Sequence, residues 1–147
     1  MTDNNNDGAA PAAENTPAAT PKTKSGRPIP PWFKPKNWLE ADVDLSAFGL
    51  GIVHLRDATF ERQAAWYAAQ QENDGVTVDG RAKMFAAYVD RSEVSGMPGP
   101  RANAEQWTPW VKQQRAKVVA RLAAAIYLFQ EHLEAESETA PNGSGAS

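Results

Sequence analysis

The chain has 147 residues, no cysteine, and a formal charge of −3 from 15 Lys and Arg against 18 Asp and Glu. Disulfide stapling, thiolate metal ligands and a cysteine nucleophile are thereby excluded. Residues 27 to 134 carry 13 bases and 13 acids, a balance that speaks against a general polyanion binder and fits an ordinary soluble domain.

Residues 1–26 hold Asn, Asp, Ala, Pro and Thr with no large apolar side chain after Met1, so nothing offsets the entropy of ordering them and a disordered tail is expected. They show no basic stretch followed by an apolar one, and no window in the chain approaches about 18 charge-free apolar residues. Neither a secretory signal nor a membrane span is expected, and a cysteine-free chain of this kind suits the cytoplasm.

At Arg27 the composition changes to RPIPPWFKPKNWLE. Pro28, Pro30, Pro31 and Pro35 hold the chain extended or turning, while Ile29, Trp32, Phe33, Trp38 and Leu39 supply apolar surface that must lie against something. The arm, residues 28–39, therefore either straps the chain's own helices, adding Trp32 or Trp38 to the core, or enters a partner's groove. Lys22, Lys24, Arg27, Lys34 and Lys36 make the same region basic, and bases interleaved with tryptophan are also a pattern for single-stranded nucleic acid.

From Asp42 to Arg56, DVDLSAFGLGIVHLR is ambiguous. Val43/Leu45 and Leu50/Ile52 alternate like strand positions, whereas Leu45, Phe48 and Ile52 fit one side of a short helix, and Gly49 and Gly51 weaken both. The glycines make no phosphate loop, because a GxGxxG spacing requires glycine where His54 stands. Residues 57–74 return to a helical pattern, with Phe60, Ala64, Tyr67 and Ala68 on one side, Trp66 extending it, and Asp57 or Thr59 as cap. After a link at GVTVDG, with Asp79-Gly80 as a turn signal, GRAKMFAAYVDRSE reads as another short helix, and SGMPGPRAN breaks it.

The stretch from Trp107 to Glu134 is the longest periodic element. Val111, Val118, Leu122, Ala125, Ile126, Phe129 and Leu133 fall on one side of a helix, with Thr108-Pro109 as its start. Arg115 falls inside that stripe, and Lys112, Arg115, Lys117 and Arg121 precede the acids Glu131, Glu134, Glu136 and Glu138, the reverse of what the helix dipole prefers. The expected fold is all-α: a compact three- or four-helix domain over 27–136, with this C-terminal helix as scaffold, the Pro/Trp-rich arm at 28–39, and disordered tails at 1–26 and 137–147.

For chemistry there is little. His54, Asp57 and Glu61 are the best local cluster for a metal or an oriented imidazole, but a helix beginning at Asp57 leaves His54 outside it. His132 sits in an acid-rich helix end, and HExxH, DxD and GxSxG arrays are absent. No catalytic residue, metal or cofactor is expected. The sequence points to a noncatalytic helical interaction or assembly subunit that docks a protein partner through Trp32, Phe33, Trp38 and Arg115, within a larger complex or by self-association. The alternative is a nucleic-acid-associated accessory protein using the bases at 22–36 and 112–121.

Overall fold

A computed structural model of the chain describes residues 22–23, 26–37, 39–72 and 76–139, with side chains as far as Leu133. The all-α expectation is overturned: the described residues form a four-stranded antiparallel sheet together with four helices. In chain order these are β1 (Phe33–Asn37), β2 (Glu40–Asp44), β3 (Ile52–Arg56), α1 (Phe60–Gln70), α2 (Val78–Tyr88), β4 (Val89–Ser92), α3 (Ala104–Gln113) and α4 (Ala116–Thr139), with a 3-10 turn at Ser46–Phe48. The sheet order is β1-β2-β3-β4, so α1 and α2 are inserted between two neighbouring strands.

The strands form where side chains alternate. Ala41, Val43, Val53 and Leu55 are buried on the inner face, with Ala41 opposite Leu55 and Val43 opposite Val53. Asp42, Asp44, His54 and Arg56 occupy the intervening positions and point the other way. A short helix through Leu45, Phe48 and Ile52 loses to this two-residue period because Gly49 ends the 3-10 turn at φ +78°, in the left-handed region. Gly51 then permits a close approach: a Cβ there would stand 2.9 Å from Glu93 Cβ.

β1 is an edge strand, where Pro35 can lack an N–H without breaking an inner ladder, and where Lys34 and Lys36 discourage pairing with another sheet. Prolines that look like strand breakers in the sequence are thus compatible with this one position. β4 follows α2 without a linker, since Tyr88 ends the helix and Val89 is already extended. The segment expected as one helix, GRAKMFAAYVDRSE, is therefore part helix and part strand.

The first three helices each start on a side-chain cap. Thr59 accepts from Arg62 N, Thr77 accepts from Gly80 N, and Asn103 and Gln106 form a reciprocal capping box. Asp79-Gly80 is consequently the first turn of α2 rather than a bend. The expected single helix from Trp107 is two helices: α3 begins earlier, at Ala104, with Pro109 inside it, and the chain breaks at Gln114–Arg115 before α4. The stripe nonetheless faces inward, with Val111, Val118, Leu122, Ala125, Ile126 and Phe129 all buried. α4 lies along β1 and β2, and α2, buried on most sides, packs against α1, α3 and α4. α4 continues to Thr139, beyond the expected boundary at 136. Most of the two expected tails, 1–21 with 24–25 and 140–147, lies outside the described residues.

Candidate interaction site

The arm is held at several points. Thr23 and Arg27 face each other across a tight turn, in which Thr23 N donates to Arg27 O at 2.8 Å and Arg27 N donates to Thr23 Oγ1 at 3.0 Å. Gly26, at φ +89°, supplies the left-handed residue of that turn. Pro30 and Pro31 enter a second turn closed by Phe33 N on Pro30 O, and Asp44 N then donates to Trp32 O at 2.8 Å, prolonging the β1–β2 ladder. From there two pins fix the strand to α4. The Arg121 guanidinium lies 5.0 Å from the Trp32 ring centroid and 4.7 Å from that of Phe48. His132 Nε2 donates to Asn37 O at 2.8 Å. Eleven residues of helix rise about 16 Å and five of strand about 17 Å, so the two pins match in spacing.

Between the arm and α4 a groove of about 920 Å³ remains open. Pro28, Ile29, Pro30 and Trp32 wall one side; Ala124, Tyr127 and Leu128 wall the other; Arg27, Gln130 and Glu131 stand at its polar end. Arg27 Nε is 4.0 Å from Glu131 Oε1. The volume is within the range of about 300–1,000 Å³ usual for ligand sites, and its lining is apolar with a few polar groups. Proline and aromatic walls are stiff, so little entropy is lost when something settles between them.

The four residues expected to contact a partner are dispersed. Trp32 is half-buried at the groove. Phe33 is only 2% exposed and belongs to the core. Arg115 is exposed in the α3–α4 link, where its carbonyl accepts from Val118 N and Val119 N; the break between the helices removes it from the apolar stripe on which a continuous helix would have placed it. Trp38 lies outside the described residues. Among the bases of the alternative, Lys22, Arg27, Lys34 and Lys36 are exposed and Lys24 is outside the described residues. Lys112, Arg115 and Lys117 are exposed as well, while Arg121 is engaged by the two rings.

His54, Asp57 and Glu61 do not come together. His54 is on β3, its Nδ1 2.7 Å from Asp42 Oδ1 on the neighbouring strand and its Nε2 3.9 Å from Glu93 Oε2. Asp57 accepts from Ala58 N, and Glu61 is in the first turn of α1. The described residues contain no group of three His, Cys, Asp or Glu side chains able to hold a metal. The side of α1 read as its apolar face also points outward: Phe60 is 85% exposed, Tyr67 and the two alanines are exposed, and Trp66 and Ala69 are the buried pair.

Several organising side chains were not legible as such. Arg62 donates to the carbonyls of Ala86, Ala102 and Arg101, tying α1 to α2 and to the loop before α3. Its spacing of four and seven from Trp66 and Ala69 was a usable signal. The Tyr88 hydroxyl accepts from Gln63 Nε2 at 3.2 Å and Gln130 Nε2 at 3.0 Å; burial pushes its pKa above the ordinary 10.0, with the two amides opposing. On the sheet's outer face, Ser46 holds the Asp44 carboxyl below its usual range, and Lys34 and Arg121 add to that. Comparison with protein-family models, curated proteins and solved structures finds no match for this chain.

Proposed function

We propose that this protein is a noncatalytic interaction or assembly subunit of the cytoplasm, and that its main docking site is the groove between residues 27–32 and α4. The observation that supports this is a groove of about 920 Å³ with proline, tryptophan, tyrosine and leucine walls, held open by a strap that is itself fixed at both ends. An extended apolar segment of a partner protein suits such a groove. Its side chains would lie on Ile29, Tyr127 and Leu128, and its backbone would meet Gln130 and Arg27 at the polar end. Trp32 serves both parts, bracing Arg121 with one side of the arm and lining the groove with the same residue. No described helix is long and apolar enough to cross a membrane.

Ala124 lines the groove and is exposed, whereas Lys117, two turns earlier on the same helix, is exposed and is not among the residues that line it. A photo-reactive phenylalanine placed at either position in the native cell should therefore behave differently. Position 124 is expected to give a discrete protein adduct that is absent at 117, and the adduct should persist as salt is raised, because apolar docking is not a phosphate contact. Equal labelling at the two positions, or an adduct only with nucleic acid, would remove the assignment.

A further inference from the structure

A second cleft, of about 440 Å³, lies where the start of α2 meets the α3–α4 junction. Among the described residues its walls are Val76, Val78, Val111 and Val119 with Ala116 and Ala120, its neutral polar groups are Thr77 and Gln114, and its charged groups are Arg81 and Lys112. No carboxylate is in that set. Val76 and Val78, at its rim, are two of the few large apolar side chains the fold leaves exposed, at 67% and 39%. Arg81 Nη1 is covered by protein and meets no hydrogen-bond acceptor. Among the described residues neither Arg81 nor Lys112 forms an ion pair, and Asp79, two residues before Arg81, is taken by Lys83 at 3.0 Å.

An uncovered apolar rim and two cations with no counter-charge among the described residues, in one cleft, describe a ligand that is apolar and anionic at once. The spacing narrows this further. Arg81 stands one turn after Val78 on the same side of α2, and Lys112 lines the same cleft as Val111 and Val119. A ligand that satisfies both carries its carboxylate close to its apolar group. The last residue of a polypeptide does this, with carboxylate and side chain on one carbon, whereas an internal Asp or Glu keeps its charge apart from any neighbouring side chain. The cleft is also short and open, walled by valine and alanine, which suits one or two branched side chains and not a long acyl chain. Thr77 and Gln114 can meet the peptide groups that precede the terminus.

We propose that this cleft binds the C-terminal end of a polypeptide, its carboxylate held by Arg81 and Lys112 and its last apolar side chain laid on Val111 and Val119. This stands apart from the arm groove and does not depend on it. The test is an NMR titration of the full chain with acetyl-Ala-Leu-Val ending in a free acid, the same peptide ending in an amide, and octanoate. The acid should move the amides of residues 76–81 and 111–120, and the amide-capped peptide should bind at least about tenfold more weakly, as expected when a charge-assisted contact is lost. Arg81→Gln should weaken the acid by about the same factor. If that variant melts early, Lys112→Gln, an exposed position, replaces it and should weaken binding severalfold. Equal binding of acid and amide, shifts confined to other regions, no binding of the acid in the millimolar range, or no effect of these substitutions would overturn the proposal. So would tight binding of octanoate without the peptide acid, which would make the cleft an acyl-chain site.

Discussion

Two clefts open on the outer side of α4, one along the arm and one at the α3–α4 junction, and they differ in how their cations are answered. At the arm, Arg121 lies between the rings of Trp32 and Phe48, and Arg27 is within 4.0 Å of Glu131. At the junction, Arg81 and Lys112 meet no opposite charge among the described residues. A cation already in contact contributes to folding, and removing it should be read in stability. A cation without a partner contributes little to folding, and removing it should be read in binding.

The largest effect that bears on this contrast is in α4, the helix that both clefts border. Leu122 is fully buried on the inner side of α4, so Leu122→Asp places an unpaired carboxylate in the core and should cost several kcal/mol. Lys117→Ala on the outer side should cost less than about 1 kcal/mol. Denaturant melts of the pair check this, and comparable losses would mean the inner and outer sides are wrongly assigned. Next in size is Arg121→Ala, which removes two ring contacts and the packing of its stem and should cost about 1–2 kcal/mol. Arg81→Gln should cost less than Arg121→Ala, so chemical denaturation of these two variants compares the clefts directly. If Arg81→Gln proved the more costly, the contrast would fail.

Tyr88→Phe is expected to cost about 1 kcal/mol, by leaving the amides of Gln63 and Gln130 without their acceptor. The same residue gives a pH signature. Because its folded pKa is raised by burial, its contribution is fully present below about pH 10 and falls away as pH rises through the folded value. Melts repeated from neutral to strongly alkaline pH should therefore show a decline above pH 10 that Tyr88→Phe reduces. The smallest effect is at Phe60, whose ring is 85% exposed; Phe60→Ser should change stability by less than about 0.5 kcal/mol, measured the same way.

The inner side of α4 was legible because seven apolar positions repeat over six turns and outweigh local breaks. The sheet was not, for reasons that differ by strand. β1 exposes four of its five residues and contains a proline, so its pattern has one apolar member. β2 and β3 alternate over five residues each, too briefly to defeat a helical reading until the partner strand is known. β4 is four residues attached directly to a helix. The split at Gln114 hid behind continuous periodicity, although Arg115 inside an apolar stripe was its trace. Of the arm groove, the strap was legible in the prolines and tryptophans; its other wall, Tyr127 and Leu128, is about a hundred residues away and belongs to a helix whose outer side carried no visible signal. The junction cleft joins two separate segments, 76–81 and 111–120, and had none.

The central claim is that the groove along the arm, and not the arm as a loose end, receives the partner. It is tested most directly at Ala124, an exposed alanine whose enlargement fills the groove without entering the core. Ala124→Trp should leave the thermal midpoint within a few degrees of the parent, corresponding to less than about 0.5 kcal/mol, while weakening capture of the protein cross-linked at that position by at least about tenfold. Undiminished capture with an unchanged midpoint would contradict the claim and leave the arm as a strap that only closes the fold.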